Sequence, residues 1–326
     1  MTDKLFDVVG VGSAIVDVIA RCDDALLAEL CMDKGSMRLI GADDAEALYT
    51  RMGPGVETSG GSVSNTCAGV ASFGGRAAFI GKVADDQLGA IFAHDIRSVG
   101  VHFDTRPATD ASPTGRCLIL VTPDGERTMN TYLGAAAELG LSEINGERIA
   151  ESKLLYLEGY SFDPPLARAA FFEAAGLAKA AGTKVAVSLS DPFCVERHRD
   201  AFLDFIETRA DLVFANEREL LSLYETDDFE AACDRLRKAV GVGAVTRSAK
   251  GSRIVAGAET IEVAAAPVAS VVDTTGAGDL YAAGFLFGYA TGRDLAACGR
   301  LGSIAAAEVI SHIGPRPLTP LSRLMA

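Results

Sequence analysis

The chain has 326 residues, a length that one large α/β unit with a small appendage would fill. Hydrophobic residues make up 49% of it and charged residues 23%, with no low-complexity tract, which excludes disordered and fibrous proteins. The net charge of −14 excludes a broad nucleic-acid-binding surface, because phosphate backbones are held by clustered Lys and Arg.

The cysteines, the histidines and the N-terminus exclude further classes. Seven scattered cysteines without a Cys-x-x-Cys pair indicate neither a disulfide framework nor a zinc site. The four histidines form no His-Glu-x-x-His pattern. The first apolar run is too short, and its flank too acidic, for a secretory signal. We therefore expect a cytoplasmic protein with no membrane or nucleic-acid partner.

Short apolar runs alternate with amphipathic stretches along most of the chain. The apolar runs predict strands at Phe6–Val11, Ala77–Gly81, Leu154–Leu157, Lys184–Leu189, Asp211–Ala215 and Val242–Thr246. The helical periodicity predicts helices at Asn65–Phe73, Leu88–Val99, Pro165–Ala181, Arg197–Thr208, Phe229–Val240 and Gly278–Thr291. Apolar strands separated by helices predict an α/β fold with a doubly wound, mostly parallel sheet. Its ligands are expected beyond the carboxyl ends of the strands.

Two stretches, Ser13–Ile40 and Val101–Leu133, do not follow this alternation. They contain short strands with polar alternation, interrupted by prolines and by the turn Pro123–Gly125. No Ser/Gly linker divides the chain, so we interpret them as excursions that form a small separate β-sheet. The predicted division assigns residues 1–12, 45–100 and 134–326 to the α/β domain, and residues 13–44 and 101–133 to the small sheet.

The strongest chemical signal is the string Asp273–Asp279, which reads Asp-Thr-Thr-Gly-Ala-Gly-Asp and precedes an apolar helix pattern. A glycine-rich turn that opens a helix presents free backbone N–H groups and the positive end of the helix dipole, which suit a phosphoryl group. In an isolated Gly-x-Gly-Asp string, the glycines would form a tight turn and Asp279 would cap the helix. The flanking Asp273–Thr275 makes the longer string hard to obtain by chance and favours a phosphate site.

Through this string the chain resembles the ribokinase-like carbohydrate and nucleoside kinases, also called the phosphofructokinase-B family. Gly60–Asn65 resembles the family's N-terminal substrate motif, and Asp85–Gly89 the segment that follows it. Asn216–Glu219 is similar to the family's Asn-x-x-Glu, and Thr246–Gly251 to its Thr-x-Gly-x-x-Gly. The resemblance implies that the small sheet is a lid. The chain departs from the family pattern at Val63, Cys67, Ala84 and Ser248.

The resemblance implies ATP-dependent transfer of the γ-phosphate to a primary hydroxyl group. Asp279 would deprotonate that hydroxyl, while backbone N–H groups of the preceding turn hold the transferred phosphate. Glu219 would bind Mg²⁺ through water, and Arg127 would reach the phosphates from the lid. Without the resemblance, Asn216–Glu219 would be a helix cap and Arg127 a solvated side chain. The implied catalytic residues are Asp279, Gly276, Ala277 and Gly278, and the implied ATP-binding residues are Asn216, Thr246, Ser248, Gly251, Thr274, Ser303 and Arg127.

Within the family, three segments resemble adenosine kinases. Gly12–Asp17 is similar to their Gly-Asn-Pro-Leu-Leu-Asp, Thr114–Cys117 to Thr-Gly-Thr-Cys, and Ser188–Phe193 to Asn-Leu-Ser-Ala-Pro-Phe. This resemblance implies that adenosine is the phosphate acceptor. It also implies that Tyr160 or Phe162 stacks on the adenine, although aromatic residues that follow a strand are otherwise core residues.

The adenosine kinase resemblance also implies how the ribose is bound. Asp17 and Asn65 would hold its hydroxyl groups, since a carboxylate accepts from two adjacent hydroxyls and an amide both donates and accepts. Ser62 would approach the base. The implied substrate-binding residues are Asp17, Ser13, Gly60, Gly61, Ser62, Asn65, Cys117, Tyr160 and Phe162.

Other interpretations stay open at this point. The nearest is a sugar kinase of the same family that acts on ribose, a ketose or a sugar acid, and an alternative of another class is a non-catalytic nucleotide-binding sensor. A dinucleotide-binding oxidoreductase would explain Gly10–Gly12, but Ile15 stands where the third glycine belongs, and the chain has no P-loop. The choice between monomer and homodimer is open, and so is a requirement for a monovalent cation such as K⁺.

Overall fold

Residues 4–325, the part of the chain that this computed structural model describes, contain thirteen strands and eleven α-helices, joined by loops and short 3-10 helices. None of those helices combines the length and apolarity needed to cross a membrane. The strands are β1 (Phe6–Val11), β2 (Ile15–Arg21), β3 (Met37–Leu39), β4 (Gly55–Gly60), β5 (Ala77–Ile80), β6 (Thr114–Val121), β7 (Arg127–Gly134), β8 (Ser152–Glu158), β9 (Lys184–Ser188), β10 (Leu212–Asn216), β11 (Val242–Thr246), β12 (Ser252–Ala256) and β13 (Glu259–Val263). The helices are α1 (Asp24–Glu29), α2 (Ala42–Tyr49), α3 (Ser62–Ser72), α4 (Gln87–Ser98), α5 (Gly146–Ala150), α6 (Pro165–Ala180), α7 (Pro192–Thr208), α8 (Glu217–Tyr224), α9 (Phe229–Ala239), α10 (Ala277–Ala290) and α11 (Leu295–Val309).

The large sheet has the strand order β13-β12-β11-β10-β9-β8-β1-β5. Its strands from β11 to β5 pair in parallel, and the β12–β13 hairpin adds two antiparallel strands at one edge. All six residues of β1 are buried, as expected for a central parallel strand covered on both faces. The predicted doubly wound α/β fold is therefore confirmed.

Helices bury both faces of this sheet. Neighbouring residues of a strand point to opposite faces, so they join different cores. Val8 joins a core that also contains Phe285 of α10. The next residue, Val9, joins a separate core that contains Phe171 of α6 and Phe202 of α7. The sheet thus forms the middle layer between two helical layers, and the ends of its strands are left free for a site.

The small sheet has the strand order β3-β7-β6-β2-β4. The predicted boundary differs from the observed sheet in two places. Strand β4 pairs with β2 in the small sheet, although it lies within residues 45–100. Conversely, His102 and Ala108 form bridges to Ala78 and Ala84 beside the large sheet. The sequence of β4 lacks apolar alternation, so its strand conformation depends on pairing with β2 rather than on a local pattern.

Most predicted elements are present with ends shifted by a few residues, and the larger differences have identifiable causes. Helix α7 begins at Pro192 instead of Arg197, because the side chain of Asp191 accepts hydrogen bonds from the N–H groups of Phe193 and Cys194. This helix is kinked at His198, where φ is −128° and ψ is 25°. Helices α8 and α11 and the β12–β13 hairpin were not among the predicted elements.

Candidate active site

A cavity of about 570 Å³ lies between the small sheet and the carboxyl ends of the strands of the large sheet. Residues that end or follow parallel strands line it, as expected for this class of fold. The small sheet contributes mainly apolar residues to the opposite wall. The strand-end residues are Ser13, Glu158, Ser188, Asn216 and Thr246, and the small sheet contributes Ile15, Leu39, Ile119 and Met129.

Asp279 lies in the first turn of α10, at the inner end of the cavity. Its carboxylate accepts a hydrogen bond from the hydroxyl of Ser62 at 2.7 Å and another from Nδ2 of Asn65 at 2.9 Å. Removal from water raises the pKa of Asp279, and these two hydrogen bonds partly oppose that shift. The structure therefore brings the predicted base together with two predicted substrate-binding residues.

The turn that precedes α10 is held in place by Asp273. One of its carboxylate oxygens accepts from the N–H and hydroxyl of Thr275, at 2.9 and 2.6 Å, and the other accepts from the N–H of Gly314 at 2.9 Å. Gly276 has φ +78°, a conformation that favours glycine. A Cβ atom on Gly278 would meet nothing within 4 Å, so the space in front of this turn is open for an anion.

The Gly60–Asn65 turn joins β4 to α3 and approaches other backbone closely. A Cβ atom on Gly61, where φ is +91°, would lie 2.1 Å from the carbonyl oxygen of Ser13. A Cβ atom on Gly60 would lie 2.2 Å from Cγ of Asp17. Burial raises the pKa of Asp17 to about 7, and the nearby Arg316 opposes this shift. Both glycines are therefore needed for the turn to lie against Asp17.

Asn65 leaves one hydrogen-bonding atom unused. Its side chain is 3% exposed, its Nδ2 donates to Asp279, and its Oδ1 has no protein partner. A buried amide oxygen without a partner is costly unless a ligand donates to it. Since Asn65 lines the cavity, this oxygen is suited to a hydroxyl group of a bound substrate.

Asn216 and Glu219 form a reciprocal cap at the start of α8. The N–H of Glu219 donates to Oδ1 of Asn216 at 2.8 Å, and the N–H and Nδ2 of Asn216 donate to Glu219 at 2.8 and 2.6 Å. Both residues also line the cavity. The cap and the binding interpretation of this motif are thus compatible, because the cap orients a carboxylate toward the cavity.

Glu219 fits the predicted water-mediated contact with Mg²⁺. Burial raises the pKa of Glu219 to about 7, and a nearby cation would favour its ionised form. Mg²⁺ commonly keeps several waters and takes one or two carboxylates besides substrate phosphates. Among the described residues, no group of three or more His, Cys, Asp or Glu side chains could hold a metal alone. The residues present therefore suit an ion that arrives with the nucleotide.

The remaining predicted nucleotide-binding residues lie around one end of the cavity. Ser248 has φ +51° and Gly251 has φ +85°. The family pattern has Gly at the position of Ser248, and Ser248 does adopt a backbone conformation that favours glycine. The hydroxyl of Ser303 accepts from the N–H of Ala266 at 2.7 Å. Arg127 of β7 donates to the carbonyl oxygen of Thr274 at 2.9 Å, which links the small sheet to the turn before α10.

The two predicted aromatic residues have different surroundings. Phe162 is fully buried, its ring lies 4.1 Å from that of Phe202 in a stacked arrangement, and it is absent from the cavity lining. The prediction that Phe162 contacts the substrate is therefore wrong, because helices α6 and α7 enclose its ring. Tyr160 does line the cavity, and its hydroxyl donates to the carbonyl oxygen of Ser190 at 3.2 Å.

Two charged residues of this region, Glu158 and Arg316, are not among the predicted site residues. Glu158 is fully buried at the end of β8, lines the cavity, and accepts hydrogen bonds from the N–H groups of Ser13 and Val63 at 2.8 and 3.2 Å. Burial raises its pKa. A carboxylate at the carboxyl end of an apolar strand is a signal that could have identified it. Arg316, near the C-terminus, had no comparable local signal.

A doubly wound sheet with a second sheet across the cavity, and a glycine turn that leads into an aspartate, fits the class of small-molecule kinases. The chain matches the pfkB family carbohydrate kinases over residues 29–321 and belongs to that family. The predicted resemblance is thereby confirmed, and the chain is an ATP-dependent carbohydrate or nucleoside kinase. Kinases of this family use ATP with Mg²⁺.

Several relatives show which substrates occur among similar proteins. A solved structure titled adenosine kinase, from Sinorhizobium meliloti, is 56% identical, covers 98% of each chain and superimposes with a TM-score of 0.95. One described as a probable sugar kinase, from Rhizobium etli, is 52% identical, also covers 98% of each chain and gives a TM-score of 0.96. An uncharacterized sugar kinase from Archaeoglobus fulgidus is 29% identical over 78% of this chain and 99% of its own.

Proposed function

We propose that this kinase transfers the γ-phosphate of ATP to the 5′ primary hydroxyl of adenosine, producing AMP and ADP. The observation that carries the proposal is the contact of Asp279 with Ser62 and Asn65 beside an open glycine turn. In this arrangement a carboxylate, buried polar groups and an open glycine turn are neighbours, and they would serve as base, substrate site and anion site. The likeness to the Sinorhizobium meliloti adenosine kinase supports adenosine as the acceptor.

Asp279 would act as the general base. Each carboxylate oxygen can accept more than one hydrogen bond, so the substrate hydroxyl can donate to Asp279 while Ser62 and Asn65 keep it oriented. As the substrate oxygen bonds to the γ-phosphorus, its proton passes to the carboxylate, and the bond from that phosphorus to the bridging oxygen of ADP breaks. A raised pKa suits a group that must take up a proton near neutral pH.

Charge on the transferred phosphate would be balanced from two sides. The backbone N–H groups of Gly276 and Gly278 would donate to the phosphate in the open space before α10, at the positive end of the helix dipole, whereas the N–H of Ala277 donates to the carbonyl oxygen of Thr274 at 3.3 Å. Arg127 lies at the same turn, through its contact with the carbonyl of Thr274. Glu219 would hold Mg²⁺ through water, and the ion would neutralise charge on the β- and γ-phosphates.

The ribose and the base would lie between the two sheets. Asp17 and the free Oδ1 of Asn65 are acceptors for ribose hydroxyl groups, and both are almost fully buried beside the Gly60–Gly61 turn. Tyr160 is the predicted aromatic residue that borders the cavity. The apolar residues Ile15, Leu39 and Ile119 of the opposite wall suit a flat base more than a hydroxyl-rich ring.

Glu158 favours a sugar as the alternative acceptor. Its buried carboxylate lines the cavity near Ser13, and an acceptor there suits an additional sugar hydroxyl. Curated relatives named as fructokinases and as 5-dehydro-2-deoxygluconokinases, 28 and 27% identical, agree with this alternative.

An ATP-consumption assay distinguishes the acceptors. The purified protein is given Mg-ATP with adenosine, other nucleosides, ribose or fructose, and each product is identified by mass spectrometry. We expect AMP from adenosine at a higher kcat/KM than for any free sugar. Equal or better transfer to a sugar would reject adenosine, and nucleotide binding without transfer to any acceptor would favour the sensor.

A further inference from the structure

The segment Gly314–Thr319 follows α11 and runs past both halves of the active site; we call it the C-terminal strap. We propose that Arg316, at its centre, is a positioning residue: it fixes the turn that carries Ser62 and Asn65, and supplies positive charge beside Asp17 and Asp279. The proposal rests on phosphoryl transfer by Asp279, but not on adenosine as the acceptor.

The guanidinium of Arg316 donates to two successive parts of the substrate-binding turn. Its Nε and Nη2 donate to the carbonyl oxygen of Ser59 at 3.1 and 2.8 Å, and its Nη1 donates to the carbonyl oxygen of Ser64 at 2.8 Å. Nη2 also reaches the hydroxyls of Ser59 and Ser64 at 2.9 and 3.1 Å. The contacts thus enclose Gly60–Val63 between their two ends. Ser62 lies inside this interval, and Asn65 directly follows Ser64.

The same strap contacts the anion-binding turn. The N–H of Gly314 donates to Asp273 at 2.9 Å, and a Cβ atom on Gly276 would lie 2.9 Å from Cα of Pro315. At its other end, the N–H groups of Leu318 and Thr319 donate to Glu308 of α11, at 3.0 and 2.7 Å. The strap is therefore anchored on both sides of Arg316, which sets the guanidinium against the substrate-binding turn.

Arg316 is also placed to balance negative charge. The hydroxyl of Ser59 donates to Asp95 at 2.5 Å and accepts from Arg316, so one chain of hydrogen bonds joins α4 to the strap. The positive charge lowers the pKa of both Asp17 and Asp279, against the larger effect of burial. The other titratable or charged groups that interact with these three side chains are Asp95, Cys67, Arg127, Asp273, Glu158, Tyr156, Cys117 and Tyr160.

Lysine would replace only part of this role. An ammonium group keeps the charge, but it is a single point with a flexible stem, whereas the planar guanidinium can donate to two separated carbonyl oxygens at fixed angles. Arg316→Lys therefore separates positioning from charge. Arg316→Gln removes the charge and keeps some capacity to donate hydrogen bonds.

The test measures kcat/KM for adenosine between pH 5 and pH 9 at saturating Mg-ATP. With Arg316→Gln, we expect the limb on which activity rises with pH to move upward by about 0.3–1 pH unit, because the base loses a positive charge that lies near it without direct contact. With Arg316→Lys, we expect that limb to keep its wild-type position while kcat/KM falls about 10- to 100-fold from lost positioning contacts. Arg323→Gln, an exposed arginine beyond the strap, is the matched control and should match the wild type.

An unshifted limb in folded Arg316→Gln, or wild-type kcat/KM in Arg316→Lys, would overturn the proposal. Circular dichroism reports whether the Gln variant folds; if it does not, the Lys variant decides alone. The wild-type rate with adenosine is measured first and tests the proposed acceptor separately. If the wild type phosphorylates ribose or fructose and not adenosine, the acceptor is rejected and the same comparison of variants is made with that sugar.

Discussion

Asp279 combines two environments that a general base needs. Partial removal from water raises its pKa, while hydrogen bonds from Ser62 and Asn65 favour the ionised form and fix the direction of its oxygens. The same residue occupies the third position of α10, where a carboxylate also interacts well with the helix dipole. Its position in the helix alone would therefore explain an aspartate here. Kinetic measurements are needed to decide whether Asp279 acts as a general base or only stabilises the start of the helix.

Asp279→Asn keeps the shape of the side chain and removes its basicity. We expect turnover to fall about 10²–10⁴-fold while substrate affinity changes little, because binding and orientation do not require proton transfer. Single-turnover kinetics with separately measured dissociation constants checks this.

Asp294→Asn is the matched control for that variant. Asp294 is an exposed N-cap of α11 that accepts from the N–H of Ala297, and it lies outside the cavity lining. We expect wild-type turnover from it. Near-normal turnover in Asp279→Asn would show that Asp279 is a helix cap only, and the proposed mechanism would fail.

The sequence predicts which residues meet where those residues are adjacent in the chain. Asp279 and its glycines are adjacent in the chain, so their spacing predicts their meeting. Arg316 contacts Ser59 across 257 residues, and no local pattern encodes such a contact. Phe162 shows the opposite limit, since an aromatic residue after a strand can face either the cavity or the core. The short helical turn Gly159–Phe162 directs its ring into the core.

The turn before α10 uses its two glycines differently. Gly276 is needed for its backbone conformation and for the close approach of Pro315. Gly278 has no such requirement, because a Cβ atom there would meet nothing within 4 Å. In the proposed mechanism, its lack of a side chain keeps the space for the phosphate clear. The two positions should therefore respond to the same substitution with opposite changes in stability.

We expect Gly278→Ala to leave the protein as stable as the wild type or to stabilise it by about 0.4–1 kcal/mol, while turnover falls about 10²-fold because the methyl group displaces the phosphate. Gly276→Ala should destabilise it by about 1–2 kcal/mol through the left-handed backbone, and further through the contact of the added Cβ with Pro315. Urea unfolding and steady-state kinetics measure both.

Gly176→Ala is the control for Gly278→Ala, because Gly176 lies in α6, also with no atom within 4 Å of the added Cβ. It should be tolerated without loss of turnover. Equal turnover in Gly278→Ala and Gly176→Ala would contradict the assignment of an anion site to this turn.

Elements were predictable where propensity and burial agree. The strand at Phe6–Val11 is apolar throughout and buried throughout, and its predicted bounds match. Helix α8 was not predicted as an element, since Asn216–Glu219 was interpreted as a binding motif, or as a cap, without the helix that follows. Asn216–Glu219 caps α8 and also lines the cavity, and a local sequence pattern does not distinguish a cap from a binding motif.

The whole molecule consists of two sheets that meet at the cavity. The strap and Arg127 link parts that lie far apart in sequence, and β4 leads directly from the small sheet into the Gly60–Asn65 turn. The existence of a small sheet was predictable from its interrupted polar strands. Which strands belong to this small sheet was not predictable, because β4 is identified by its pairing with β2 and not by its own residues.

Arg127 links the small sheet to the turn before α10, and we propose that it acts on the phosphoryl transfer. Its Nη1 donates to the carbonyl of Thr274, and its positive charge opposes the raised pKa of Asp279. In Arg127→Ala we expect phosphoryl transfer to fall about 10²–10³-fold, a typical loss for one electrostatic donor at a developing charge. We also expect ATP hydrolysis to rise relative to transfer, because a lid held less firmly admits water.

The rate of formation of phosphorylated product measures the loss of transfer, and the ratio of ADP to that product measures the hydrolysis without transfer. Arg38→Ala is the control, since Arg38 lies in β3 of the same sheet and its Nε donates to Asn130 within that sheet, at 2.5 Å. That variant should transfer phosphate at the wild-type rate and with the wild-type ratio of ADP to phosphorylated product. If Arg127→Ala also did so, the contact between the two sheets would be structural only, and the small sheet would cover the cavity without taking part in the transfer.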